Sequence, residues 1–173
     1  MPQFLTTPVT DKRFGLDSKY AVVRQLIALA ATQVPGHPAV GITTYRRGEL
    51  AAIASSTPRA QQWEHAQLTY PAGPVLECLV TACPVTVADL MVEHRWADCI
   101  ARLVVLGVRS LHCQPLIAGR DRAALGVLTF YSPYRTSFGG PTERIIQKVA
   151  HRAATILARG NGNRSLPDHR PFQ

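Results

Sequence analysis

Long apolar runs are missing from this chain of 173 residues. No stretch approaches the roughly 20 apolar residues that a membrane-spanning helix needs. The opening Met1-Pro2-Gln3-Phe4-Leu5 lacks the basic start and apolar centre of a secretory signal. A cytoplasmic location with no membrane partner is therefore expected. Paired cysteines are missing as well. Cys78, Cys83, Cys99 and Cys113 include no C-x-x-C spacing, which argues against a zinc knuckle or a thioredoxin-type site. In a reducing compartment they read as free, mostly buried thiols. Polybasic tracts are also absent. The formal net charge is +8, yet Arg46-Arg47 is the only adjacent arginine pair and Lys12-Arg13 the other short basic run. Cations scattered in this way read as solvated surface, and nucleic acid is not expected as a partner. No Ser-His-Asp order, phosphate-binding loop or pair of catalytic acids stands out, so no catalytic residue and no metal site are expected.

What remains is ample material for one core. Hydrophobic residues make up 46% of the chain and charged residues 17%, enough for a single domain without disulfide support. Residues 1–17 read as a flexible lead-in, 18–160 as the domain and 161–173 as a disordered tail. Ser18 is placed to cap a helix predicted from Lys19 to Gln33, which buries Val22, Val23, Leu26, Ile27, Leu29 and Ala30 as one stripe. Pro35-Gly36-His37-Pro38 stops it. Ala39–Tyr45 and Leu50–Ser55 form a hairpin about Arg46-Arg47-Gly48-Glu49. Thr57-Pro58 caps and starts a short polar helix to Leu68, anchored by Trp63. Gly73-Pro74 opens a further helix, Thr86-Val87 is a short strand, and Ala97–Leu106 is an amphipathic helix. Ser110–Ile117 and Ala123–Tyr131 make a second hairpin about Gly119-Arg120-Asp121-Arg122. Pro141 starts the last helix, whose stripe is Ile145, Ile146, Val149, Ala153, Ile156 and Leu157. Strands in adjacent antiparallel pairs indicate an α+β fold. The first and last helices cover one face of its sheet. The middle segments cover the other, above a small-molecule pocket.

An ordered set of short motifs then carries a resemblance. It consists of the 40–55 hairpin, Gly73-Pro74-x-Leu76-Glu77, Pro84-Val85-x-Val87-x-Asp89-Leu90, Arg95-Trp96, Leu106-Gly107-Val108-Arg109-Ser110, Pro115-Leu116, and Leu125-Gly126-Val127-Leu128 with Tyr131-Ser132. With these the chain resembles GAF domains, the small-molecule sensor modules of signalling proteins. It is most similar to the actinobacterial type often found ahead of an RNA-binding ANTAR domain. Too few residues follow Gly160 for an ANTAR domain, so an output carried within this chain is not expected. The chain departs from the family pattern at Val75, where cysteine is common, and at His112 and Gln114, where residues are apolar or small.

The resemblance implies a non-enzymatic sensor or regulatory module. Its ligand would lie between sheet and middle helices and contact Val75, Cys78, Trp96, Arg109, His112 and Gln114. The N–H groups at the Gly73-Pro74 helix start are available to an anion or carbonyl. Ser110, His112, Gln114 and Leu116 share one strand face. Arg109 either meets an anionic ligand or braces its loop through Asp89 or Glu77. Some family members bind haem through a histidine, but the lone His112 is thin ground for that, and the cofactor stays unnamed. Two other readings stand beside the sensor. One is a degenerate domain kept for protein contact, its pocket filled by side chains. The other is a thiol-redox protein of the free methionine sulfoxide reductase kind, although the cysteine spacings differ from that pattern. A homodimer through the first and last helices, or a signalling protein, is the expected partner.

Overall fold

Two helices, Ser18–Gln33 (α1) and Pro141–Ala158 (α5), lie together on one face of a five-stranded sheet. The computed structural model describes residues 18–159 with the exception of 47 and 121. The expected flexible lead-in and disordered tail, and residues 47 and 121 of the two hairpin turns, lie outside the described residues. The strands are Ala39–Arg46 (β1), Glu49–Ser55 (β2), Val85–Val87 (β3), Ser110–Ile117 (β4) and Ala124–Ser132 (β5). They are ordered β2-β1-β5-β4-β3, and every neighbouring pair is antiparallel. The other face carries the helices Pro58–Leu68 (α2), Pro74–Thr81 (α3) and Ala97–Val105 (α4), with a 3₁₀ turn at Leu90–Val92. The α+β architecture read from the sequence is the one found.

Local chemistry explains most boundaries. Thr57 caps α2 by accepting the Ala60 N–H at 3.0 Å, and Pro58 takes the first helical position, where its missing N–H costs nothing. Asp89 caps the 3₁₀ turn by accepting the Met91 N–H at 3.0 Å. Gly107 (φ +88°) ends α4 in the left-handed region. At the end of α3 that conformation falls to Ala82 (φ 51°), which carries the Cβ penalty that glycine would avoid.

The sheet separates two cores. On the α1/α5 side, Val23, Ile27 and Ala30 meet Val40, Ile42, Leu116, Leu128 and Phe130, with Ile146, Val149, Ala153 and Leu157 behind them. On the other side, Trp63, Val75, Cys78, Cys99 and Leu103 meet Leu111, Cys113, Val127 and Tyr131. The period of two along each strand sends alternate residues to opposite cores.

One expectation about α1 fails. Only Tyr20, Val23, Ile27 and Ala30 are fully buried, whereas Val22 is 47% and Leu29 52% exposed. The helix is apolar on more than one side, and the sheet can cover only one of them. Val22 and Leu29 are left on the outer surface.

Candidate functional site

The space between the sheet and the middle helices is occupied by a buried polar chain. On α2, residues Ala60, Trp63, Glu64 and Gln67 recur at i, i+3, i+4 and i+7, and all four are buried against the sheet. Trp63 fixes the helix, donating from Nε1 to the Leu106 carbonyl at 3.1 Å and setting its ring 5.5 Å from that of Tyr131. Glu64, next to it, is wholly buried. Its Oε1 accepts from the Tyr131 hydroxyl at 2.5 Å, and its Oε2 accepts from the Thr43 hydroxyl. Tyr131 in turn accepts from Gln67 Nε2 at 2.7 Å, and Gln67 Oε1 accepts the backbone N–H of Val75 at 3.1 Å. The chain of bonds therefore runs from β1 through α2 and β5 to the start of α3.

Gly41 makes room for this acid. A Cβ there would sit 2.5 Å from Glu64 Cγ, closer than a side chain tolerates. The groups facing Glu64 are Thr43, Thr129, Tyr131 and Cys113, none of them a cation. Burial without a counter-charge opposes ionisation, and the hydroxyl donors offset it only in part. The carboxyl is pushed from its ordinary 4.5 up to about 7. The same burial holds the Tyr131 hydroxyl protonated.

The structure does not bring the six sequence-derived candidates together. Val75 and Cys78 are buried on the middle-helix side. The Val75 N–H, expected to be free for a ligand carbonyl, is taken by Gln67. Trp96 is half-buried beside that core in a left-handed conformation (φ 51°). The Arg95 guanidinium stacks 4.3 Å from its ring centre and pairs with Glu93 at 2.8 Å and Glu77 at 3.6 Å, tying the 93–96 loop to α3. Arg109 braces its loop, one of the two roles considered for it. Its Nε and Nη2 donate to Asp89 Oδ1 and Oδ2 at 2.6 and 3.1 Å, and Arg135 joins the same carboxylate at 3.2 Å. These guanidiniums hold the Asp89 carboxyl below its ordinary value.

His112 and Gln114 point to the opposite side of the sheet. Their strand face includes Leu116 of the α1/α5 core, and the His112 ring lies 5.8 Å from Phe138. His112 Nδ1 lies 2.7 Å from the hydroxyl of Thr86, its cross-strand partner, and Nε2 lies 3.2 Å from Gln114 Oε1. Gln114 Oε1 can only accept, so Nε2 carries the proton and Nδ1 accepts from Thr86. Burial lowers the pKa of this neutral ring. With both nitrogens engaged, His112 does not fit the role of an axial haem ligand.

None of the protein-family models matches the sequence, and no curated protein matches it. Solved structures do match. The GAF domain region of a Geobacter sulfurreducens protein superposes with a TM-score of 0.68 at 14% identity, covering 86% of this chain and 97% of that one. The GAF domain of a phosphoenolpyruvate-protein phosphotransferase from Coxiella burnetii gives 0.63 at 16% identity, covering 86% and 88%. The fold is that of GAF domains. A third match is the type II free methionine-R-sulfoxide reductase of Thermoplasma acidophilum, at 0.59 and 14% identity over 82% of this chain and 96% of that one. The same architecture therefore occurs in an enzyme, and the chemistry open to the thiols of this chain depends on their own surroundings. Cys78, Cys99 and Cys113 are buried, and Cys83 is exposed. Burial pushes Cys78 up to about 12 and Cys99 to about 11, and it holds Cys113 well above the ordinary thiol value. A thiol held protonated is a poor nucleophile.

Sequence reasoning missed Glu64 and Gln67. Two signals pointed to them. Their spacing from Trp63 and Ala60 puts them on the anchored side of α2, and Gly41 inside a strand marks a close approach.

Proposed function

We propose that this chain is a cytoplasmic, non-enzymatic regulatory module of the GAF type that acts through protein contact, its interior closed by its own side chains. The filled interior carries the reading. A ligand between the sheet and the middle helices would have to displace Glu64 and Gln67 and break the four bonds joining Thr43, Glu64, Tyr131, Gln67 and Val75. Three protonated, buried thiols speak against reductase chemistry. The contact surface we infer is the outer side of α1, where Val22 and Leu29 stand exposed one i+7 step apart. No helix among the described residues is long and apolar enough to cross a membrane.

A second copy of the chain is the partner that an exposed apolar helix face most directly accommodates. Native mass spectrometry of freshly purified protein tests both halves of this reading. The expected result is a ligand-free homodimer that the double substitution Val22→Glu/Leu29→Glu converts to a folded monomer. A retained small molecule would restore the sensor reading. A wild-type monomer, or a dimer indifferent to the two substitutions, would remove α1 as the contact.

A further inference from the structure

Three of the cations that look scattered in the sequence line up on α5. Arg144, Lys148 and Arg152 recur at i, i+4 and i+8, which stacks them along one line of the helix about 6 Å apart. All three are exposed, and His151 stands beside them. Two surface hollows adjoin through His151. One lies among Arg144, Lys148 and Arg152, and the other runs past Thr155 to Arg159 and the 117–119 end of β4. The strip from Arg144 to Arg159 spans about 22 Å. Glu143, the only acid on this helix, is hydrogen-bonded to Gln147. None of the four cations has an ion-pair partner among the described residues.

We propose that the outer face of α5 is a binding surface for the phosphodiester backbone of a nucleic-acid duplex. Composition selects this partner over an acidic protein. Protein interfaces are built round an apolar or aromatic centre. Among the described residues, the exposed large hydrophobic ones (Val22, Leu29, Val80, Met91, Val92, Val105 and Tyr134) all lie off α5. Surfaces that meet nucleic acid are polar and strongly positive, as this strip is. A duplex is favoured over a single strand because no Phe, Tyr or Trp lines the strip to stack on unpaired bases. The surface supplies charge and no base-reading pattern, so binding is independent of sequence. This inference goes beyond the protein-contact reading and uses a different helix.

The test is fluorescence anisotropy with short labelled duplex DNA and duplex RNA, and with labelled polyglutamate of equal charge. Four phosphate contacts predict a slope of log K against log salt of about −3.6, which is about a 150-fold loss between 50 and 200 mM KCl. Arg144→Gln/Lys148→Gln/Arg152→Gln should weaken low-salt binding by at least about tenfold and flatten the slope to about −1. These residues are exposed, so thermal melting and the oligomeric mass of the variant should match wild type, which separates this test from that of the α1 contact. Binding to either duplex in this pattern supports the proposal, and the tighter of the two names the source. No duplex binding at low salt, a triple variant that binds like wild type, or polyglutamate binding as tightly as the duplexes would overturn it.

Discussion

Glu64→Gln is the substitution that most directly interrogates the interior. Glutamine keeps the shape of the protonated acid. Its Oε1 can still accept from Tyr131 and its Nε2 can donate to Thr43 Oγ1, but it cannot ionise. In the wild type, burial raises the carboxyl from 4.5 to about 7, so the folded state holds the proton more tightly than the unfolded chain does. The stability that follows is fully present below pH 4.5 and is lost as pH rises through about 7. The loss amounts to roughly 3 kcal/mol between pH 4 and pH 8. His112 slopes the other way. Its lowered pKa gives stability that is present above its ordinary 6.5 and lost as pH falls. Because His112 is common to both proteins, it cancels in the difference between them. Tyr131 and Cys113, which also face Glu64, are held protonated throughout this range. Urea unfolding followed by the fluorescence of Trp63 and Trp96 gives the comparison. Near pH 5 the two proteins should agree within about 1 kcal/mol, and at pH 8 the glutamine variant should be ahead by about 3 kcal/mol with an unchanged m-value. Parallel pH profiles for the two proteins would refute the buried, unpaired acid.

Two further outcomes follow from other parts of the structure. Iodoacetamide at neutral pH should alkylate Cys83 and leave Cys78, Cys99 and Cys113 unmodified until urea is added, as read by peptide mass spectrometry; labelling of Cys78 in native protein would undo the inert-thiol argument. Ala82→Gly should raise the urea midpoint by an amount equivalent to about 0.5–1 kcal/mol, because glycine adopts the left-handed end of α3 without the Cβ penalty; an unchanged or lowered midpoint would count against that strain.

The sequence carried the architecture well because its punctuation is local. Thr57-Pro58, Gly73-Pro74, Gly107 and Pro141 each set an element boundary through the conformation of one or two residues. The sequence left Arg109 between an anionic ligand and a brace through Asp89 or Glu77, and only the three-dimensional geometry selects Asp89. The site was harder. Alternation along β4 shows that His112 and Gln114 share a face, but not which of two apolar layers that face meets. Glu64 sits in a helix whose composition looks solvated, and only its register with Trp63 places it inside. Arg144, Lys148 and Arg152 look isolated along the chain because three residues stand between each and the next. The helix closes that interval.

Among the described residues, the central strand of the sheet is the last one in the chain, and one of its two neighbours is the first. β1 is zipped to β5, Ile42 opposite Leu128, whereas β2 can pair with β1 as soon as both are made. A growing chain must therefore carry the β1–β2 hairpin with one long edge open until β5 emerges, and the middle of the sheet is the last part able to assemble. Closing so wide a loop makes folding slow relative to a helical domain of this size. Any shortened version that stops before β5, which begins at Ala124, loses the strand pairing at the centre of the sheet, and with it Tyr131, the residue that joins Glu64 to Gln67.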